Sequence, residues 1–517
     1  MDCSTVSALQ DRLDSLTSWD ADWAGLRVVV TGISKTGFSV ADTLAELGAQ
    51  VVVVAASDDD DAWANADTLK IVGVSQVILG EETSTVLPLV KGEAAELVVT
   101  SPGYKPSHPL LAAAADAGIP IWGDVELAWR VRQREGRKTA RWITITGTNG
   151  KTTTTTMVEA MLQAAGLRAI AAGNIGTPIL DAVRDPEGWD FLAVELSTFQ
   201  LHWTESLAPV ASVCLNLAED HVDWHGSFAA YAADKAKIYA NTELACVYNA
   251  EQIETERMVQ EADVQEGCRA IGFTTGIPAI SMVGVVEGLL VDRAFIAERK
   301  DSATELAKVS DIGELVPRHL VANAAAAAAL VRACGLTPED VRKGLVNYQN
   351  GDHRIQAVAK AGGVLWVNDS KATNPHAAAA SLAAFKTVIW IAGGLSKGVD
   401  YDDLVRQHVS RLKAVVLIGA DSTDLASSLE RLAPDVQVIA THASGGRRSS
   451  GSELRGDAVM AEAVAVAASL AVDGDTVLMA PASASMDQFT SYAHRGNAFI
   501  ESVRELLESR ASVNKES

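Results

Sequence analysis

Short, almost wholly apolar runs recur along the chain, and helical periodicity follows most of them. The first run is Arg27–Thr31. It breaks into Gly32-Ile33-Ser34-Lys35-Thr36-Gly37, and a helical stretch then reaches Leu47, with Gly48 as a natural C-cap. Further strands are predicted at Val51–Val54, Val77–Leu79 and Leu97–Thr100, and polar Arg132–Thr139 reads as a linker. A second block opens with Trp142–Thr146 and continues through Leu192–Val194, Ser212–Leu217 and Ala245–Tyr248 to a long alanine-rich helix, His319–Ala333. Thr337-Pro338-Glu339-Asp340 then reads as a helix start, with a Thr N-cap, Pro at the first helical position and acids in the first turn. A third block begins near Asp352, with strands at Val364–Val367, Val388–Ala392, Val415–Ile418, Val436–Ile439 and Thr476–Met479.

Short apolar strands alternating with helices imply parallel sheets covered on both faces. The expected fold is therefore α/β with three domains: 1–138 Rossmann-like, 139–351 like a P-loop ATPase, and 352–517 Rossmann-like again. The Gly-, Ser- and Arg-rich stretch His442–Gly456 reads as a surface loop, and the acidic run Asp58–Asp61 as a solvated face.

Composition narrows the function. The chain carries 66 acidic against 43 basic residues, a net charge of −23, which disfavours nucleic acid because a phosphate backbone wants a basic face. Five scattered cysteines (Cys3, Cys214, Cys246, Cys268, Cys334) form no CxxC pair and read as thiols in a reducing cytoplasm. Neither a signal peptide nor a membrane span is legible.

Chemistry is densest at "RWITITGTNGKTTTTT", Arg141–Thr156. A strict P-loop needs a glycine six residues before Lys151, and that position is Ile145. The shorter loop Gly147-Thr148-Asn149-Gly150-Lys151-Thr152-Thr153 keeps the working parts. Gly147 and Gly150 let backbone N–H groups turn onto oxyanions, Lys151 supplies a charge for the β- and γ-phosphates, and Thr152 or Thr153 offers a hydroxyl to Mg²⁺. The following helix aims its positive end at the same point and carries Met157, Met161 and Ala164 on one face. A strand before and a helix after favour phosphate binding over a plain Gly-Thr turn. In the first block, Gly32-x-Ser34-x-x-Gly37 only approximates a dinucleotide fingerprint, since Ser34 replaces the middle glycine and no acid closes the second strand. NAD is disfavoured there, and a nucleoside diphosphate is compatible.

The loop TGTNGKTT resembles the Mur ligase family of ATP-dependent amide-bond-forming enzymes. It recurs in folylpolyglutamate synthases, so it points to a family and not to a substrate. Asn368-Asp369-Ser370-Lys371-Ala372-Thr373-Asn374 and Pro481–Phe489 resemble the branch that adds D-glutamate, as do Ser101-Pro102-Gly103, Glu195–Leu201 and Glu219-Asp220-His221. The resemblance runs in order from Arg27 to Asn497.

That resemblance implies a reaction in which ATP phosphorylates the carboxylate of UDP-N-acetylmuramoyl-L-alanine and the amine of D-glutamate displaces phosphate, a cytoplasmic step of peptidoglycan precursor synthesis. It implies Mg²⁺, at two sites, and a monomer with no membrane or nucleic-acid partner. Gly147–Thr153, Asn323, Arg354 and Asp369 match ATP contacts. Ser34, Lys35, Thr36, Gly103, Asn174 and His221 match contacts to the UDP-substrate. Lys371, Thr373, Lys397, Ser485 and Tyr492 match the D-glutamate pocket, although Ser491-Tyr492 stands where the family often has Asn-Phe. Thr152, Glu195, His221 and Lys235, the last as a carbamate, match metal ligands. Lys151, His221 and Lys235 are the residues implied in catalysis.

Overall fold

The computed structural model describes residues 3–313, 315–349, 351–396, 399–441 and 456–516. Lys397 and His442–Arg455 of the surface stretch lie outside the described residues. The chain forms two compact units, Met1–Ile312 with Ala322–Tyr348, and Gly313–Val321 with Gln349–Ser517.

The first unit holds two sheets. In one, β1 (Arg27–Thr31), β2 (Gln50–Ala55), β3 (Gln76–Leu79), β4 (Leu97–Thr100) and β5 (Ile121–Gly123) lie in the order β3-β2-β1-β4-β5, all parallel. The valines of β1, β2 and β4 are buried on both faces, the reason these strands read as continuous apolar runs. The other sheet contains β6 (Arg141–Thr146), β7 (Ala169–Gly173), β8 (Phe191–Glu195), β9 (Ala211–Cys214), β10 (Ala245–Asn249) and β11 (Arg269–Phe273). Three further strands, β12 (Met282–Val286), β13 (Leu289–Asp292) and β14 (Thr304–Lys308), complete the order β14-β13-β12-β11-β10-β9-β6-β8-β7. Its last two pairings are antiparallel, and Glu287 and Gly288, both at positive φ, make the β12–β13 turn.

The second unit contains one sheet. Strands β15 (Gln356–Ala361), β16 (Val364–Asn368), β17 (Val388–Gly393), β18 (Leu412–Ile418), β19 (Gln437–Ala440) and β20 (Thr476–Met479) run in the order β15-β16-β20-β17-β18-β19. Only β15 is antiparallel, joined to β16 through Gly362 and Gly363 at positive φ.

Most expected elements are present. The strand expected at Ser212–Leu217 is a correction: β9 ends at Cys214, because Leu215 and Asn216 leave the ladder to brace the phosphate loop. Lys235 lies on a helix, Phe228–Ala236, that finishes as a 3₁₀ turn, Lys237–Tyr239. Thr337 caps its helix as expected, with a reciprocal bond to Asp340. Asp59 caps the helix Asp60–Ile71, so part of the acidic run serves as a helix start.

The two sheets of the first unit are joined by a shared core and by buried polar bonds. Trp129, on the helix Asp124–Val131, meets Trp142 of β6 edge-to-face with ring centroids 5.1 Å apart. Glu126 on that helix is fully buried. Its carboxylate accepts from the backbone N–H groups of Glu205 and Ser206, both at 2.9 Å, from the Ser206 hydroxyl at 2.6 Å and from Arg130 at 2.6 Å. Burial pushes the Glu126 carboxyl up, but these four donors outweigh it and hold it below the usual range. Asp124 accepts from Gln200 at 3.0 Å, and Arg184 reaches back to Asp42 and Glu46.

The helix Lys151–Ala164 is pressed onto the sheet by the helix Pro338–Asn347. A Cβ on Gly344 would overlap the Met161 backbone. Helix propensity favours alanine over glycine by about 1 kcal/mol, whereas overpacking against backbone that cannot swing aside costs about 3 kcal/mol. Gly344→Ala is therefore expected to destabilise the first unit by about 2 kcal/mol, read as a lower urea midpoint at unchanged slope. An unchanged midpoint would mean that the two helices are not in this contact.

Glu126 gives a pH-dependent expectation. A depressed carboxyl contributes stability above its unfolded pKa, and that contribution is lost as pH falls through the folded value. Glu126→Gln should cost about 2–4 kcal/mol near neutral pH, and the gap to the parent should close as the pH drops below about 4. A gap that stays constant down to pH 3 in denaturation curves would contradict the assignment of a charged, depressed carboxylate.

Candidate active site

Strand β6 ends in the middle of its sheet, between β8 and β9, and the phosphate loop starts there. Gly147 (φ 151°) and Gly150 (φ 83°) adopt backbone conformations that side chains resist. A Cβ on Gly150 would collide with the amide of Asn323, which is buried against the loop. Asn216, just past β9, clips the other side: Asn149 N–H donates to its Oδ1 at 2.8 Å, and its Nδ2 donates to Asn149 O at 3.0 Å. The Thr148 hydroxyl lies 2.9 Å from that of Tyr231 and accepts from Ala218 N–H at 2.9 Å. Lys151 curls back so that Nζ donates to Gly147 O at 2.9 Å and Thr148 O at 3.0 Å. Thr152 and Thr153 occupy the first turn of the helix, where N–H groups point toward the loop.

Glu195 is the last residue of β8, paired with Ile145, and so it sits beside the loop. It is 2% exposed. Its Oε1 accepts from Asn174 Nδ2 at 3.0 Å, while Oε2 is buried without a hydrogen-bond partner. A buried, half-satisfied carboxylate suits a hard cation. Among the described residues no three His, Cys, Asp or Glu side chains form a ready-made cage, so a cation here would draw further ligands from substrate phosphates and water.

Lys235 is buried, with Nζ 4.7 Å from the Tyr231 ring centroid. Burial first, and the charge of Lys151 second, push its amine down to about 7, against the opposing pull of Cys214 and Asp220. His221 is half-exposed in the left-handed region (φ 52°), its ring 4.9 Å from Phe199. Next to Lys235, Asp234 is contacted by His202 Nδ1 at 2.8 Å, His225 Nδ1 at 3.1 Å and Lys237 Nζ at 3.1 Å. Lys237 thus pairs away from Lys235, as helix geometry requires for neighbours two apart.

In the other sheet of this unit the strand order reverses between β1 and β4, the crevice where ligands of parallel sheets collect. Two expected segments meet there. Ser101 Oγ donates to Thr31 O at 2.6 Å, and Ser101 N–H donates to Thr31 Oγ1 at 3.1 Å. A Cβ on Gly37 would overlap Gly32 O, so glycine lets the helix Lys35–Glu46 begin tight against the strand end. Ser34 is its N-cap and makes no side-chain capping bond; Lys35 is exposed, Thr36 half-buried, and Gly103 exposed with open space at its Cα.

The second unit gathers the remaining residues at the ends of β16 and β20. Asp369 follows β16. Its carboxylate accepts from Ile355 N–H at 3.3 Å and from the Ser381 hydroxyl. Burial pushes it up to about 6, against the pull of Ser381, Ile355 and Arg354. Lys371 Nζ lies 3.7 Å from the Tyr492 ring centroid, so these two expected residues are neighbours. Thr373 follows on the same loop, its N–H donating to Lys371 O at 2.8 Å. Ser485 is buried on the loop after β20. Between them lies Arg495, fully buried: Nε donates to Ser370 Oγ at 3.0 Å, Nη2 to Ser370 O at 3.0 Å and Nη1 to Ser483 O at 3.2 Å.

Sequence reasoning missed Asn216, Tyr231, Asp234 and Arg495. The first three carry no local motif. Arg495 looks like an ordinary helical arginine, and only its burial distinguishes it.

Three family models match, in order: "Mur ligase MurD-like, N-terminal domain" over residues 26–123, "Mur ligase middle domain" over 145–331, and "Mur ligase, glutamate ligase domain" over 353–483. The UDP-N-acetylmuramoylalanine–D-glutamate ligase of Leifsonia xyli is 50% identical over 514 residues, covering 97% of both chains. The enzyme of the same name from Streptomyces coelicolor is 51% identical over 486 residues, covering 94% of this chain and 99% of its own. Among solved structures, the MurF ligase of Thermotoga maritima in complex with ADP has the same fold, with a TM-score of 0.53 at 18% identity over 89% of this chain and 96% of its own. Matched by models in all three of its parts and half-identical over nearly its whole length to curated members, the chain belongs to the Mur ligase family.

Proposed function

We propose that the chain is an ATP-dependent ligase that joins D-glutamate to UDP-N-acetylmuramoyl-L-alanine through an acyl phosphate, a step in making peptidoglycan precursors. The observation that carries this reading is the braced phosphate loop with buried Glu195 and Lys235 beside it, in a chain half-identical to ligases of that name. In this reading the protein works as a cytoplasmic monomer.

The chemistry needs no enzyme nucleophile. The γ-phosphoryl group of ATP passes to the L-alanine carboxylate, giving ADP and an acyl phosphate. The amine of D-glutamate attacks that carbonyl carbon, and phosphate leaves as the amide forms. The protein's work is to hold anions together and neutralise charge as it develops.

The N–H groups of Gly147–Thr153 and the charge of Lys151 take the ATP phosphates. For Lys151 to do so it must leave the carbonyls of Gly147 and Thr148, which is a small change because these bonds lie on the same loop. Asn323, Arg354 and Asp369 hold the rest of ATP. Glu195 and Thr152 would hold one Mg²⁺, and His221 with Lys235 a second; when bound, Mg²⁺ screens the phosphate charges against one another. Lys235 serves as a carbamate. Burial leaves much of its amine neutral near pH 7, and a neutral amine adds to CO₂. Ser34, Lys35, Thr36 and Gly103 meet the UDP diphosphate at a helix N-terminus, with Asn174 and His221 further along the substrate. Lys371, Thr373, Lys397, Ser485 and Tyr492 receive the carboxylates of D-glutamate. A phosphate-release assay with single amino acids, with and without the UDP-sugar peptide, tests the whole reading; turnover with an amino acid other than D-glutamate would refute it.

Lys151→Ala is expected to lower acyl-phosphate formation at least about a hundredfold, while calorimetry finds binding of the UDP-substrate nearly unchanged. Loss of UDP-substrate binding with ATP binding kept would reverse the assignment of the two loops.

Lys235→Ala should lose most activity, and a short carboxylic acid such as acetate should restore part of it by standing in for the carbamate. Full activity in the unsupplemented variant would exclude Lys235 from the reaction.

A further inference from the structure

Four cysteines among the described residues are reduced, and two of them face each other. Cys246 is the second residue of β10 and 1% exposed. Cys268 stands directly before β11 and is partly exposed. Their sulfurs are 3.8 Å apart, across 22 residues of chain that contain the helix Ile253–Glu261. A disulfide needs about 2.05 Å between sulfurs, so the two must close by roughly 1.7 Å. Cys268 has room to make that approach. It ends a turn closed by its own N–H to Gln265 O at 3.0 Å and lies outside the strand ladder. Cys246 is fixed in the ladder by its pairing with Ala270.

We propose that Cys246 and Cys268 form a reversible dithiol–disulfide site that exchanges with low-molecular-weight disulfides. Cys268 reacts first, because it alone is reachable. Its thiol is also the more acidic: a hydrogen bond from Cys246 holds it below the usual range, whereas donating that bond, together with burial, pushes Cys246 up. The Cys268 thiolate attacks the external disulfide, whose S–S bond breaks as a mixed disulfide forms and one thiolate leaves. Cys246 then attacks the Cys268 sulfur and releases the second thiolate. Both cysteine protons end on the two released thiols. The protein pair is oxidised by two electrons and the external disulfide is reduced to two thiols.

The position predicts the consequence. The pair sits at the amino ends of β10 and β11, whereas the phosphate loop and Glu195 lie at the carboxyl ends of β6 and β8. The turn carrying Cys268 is tied to the segment after Lys235: Gln265 N–H donates to Thr242 O at 3.1 Å, and Asn241 N–H to Asp263 O at 2.8 Å. A link would therefore fasten the amino end of the β10–β11 pairing without entering the site. Closing a loop of this length restricts the unfolded chain and should raise the thermal midpoint by several degrees.

The test uses the full chain equilibrated with oxidised glutathione, alkylated and digested without reductant. The expected product is one peptide pair joined through Cys246 and Cys268, lighter by two hydrogens and separated again by dithiothreitol. The oxidised protein should melt several degrees above the reduced one and keep its turnover. Cys268→Ser, at a partly exposed position, should fold, turn over normally and lose both the link and the shift. Glutathione remaining on Cys268, a link to Cys214 or Cys334, or a midpoint shift that survives in Cys268→Ser would each overturn the proposal.

Discussion

Two lysine charges brought together where water is scarce set the demand that the rest of the first unit answers. Lys151 ends the phosphate loop and Lys235 is buried behind it, and the charge of Lys151 helps to depress the Lys235 amine. Like charges in a poorly solvated place are tolerable only if one is neutral or if anions arrive. Both conditions bear on the proposed reaction: a neutral amine would be able to take up CO₂, and the loop would receive phosphates. Glu195, with one oxygen bonded to Asn174 and the other without a partner, is the complementary half of that demand.

Meeting it requires a rigid frame, and the frame comes from strand order. Because β6 lies between β8 and β9, its loop is bounded on one side by Glu195 and on the other by Asn216. The Asn216 amide then ties the loop from both its N–H and its carbonyl side. Asn323 closes against Gly150 from the long alanine-rich helix, whose small side chains let it lie deep in the core. The second unit repeats the principle with one charge. Arg495 spans Ser370 and Ser483, so the loops after β16 and β20, which carry Lys371, Thr373 and Ser485, are held by a single buried guanidinium. Burial pushes that guanidinium down to about 9, and the three acceptors are what make its burial tolerable.

The polar joint within the first unit follows similar logic. Glu126 is wholly buried yet charged, because four donors converge on it. A residue that looks like an ordinary helical glutamate in the sequence thereby fixes the helix Asp124–Val131 against the segment after Trp203, and the Trp129–Trp142 contact seals the same seam.

Local pattern alone determined much of this protein. Short apolar runs bounded by turn residues read as core strands, so β1, β2, β4, β6, β16, β17 and β20 were legible, as were Thr337 and Gly48 at helix ends. The phosphate loop was legible because its glycines and lysine act through backbone within a few residues. The strands of the antiparallel pairs, β12 to β15, were not: they are short, and all but β13 are largely half-exposed, although Gly362-Gly363 carried a hairpin signal that the apolar count ignores. Family resemblance named Thr148, Asn149 and Lys371 as site residues, but their contacts with Tyr231, Asn216 and Tyr492 reach across dozens of residues. What tertiary structure decided was which ordinary polar residues lost their water. Burial depends on everything packed around a side chain, so no local window distinguishes buried Lys235 from exposed Lys237, or Arg495 from any other arginine on a helix.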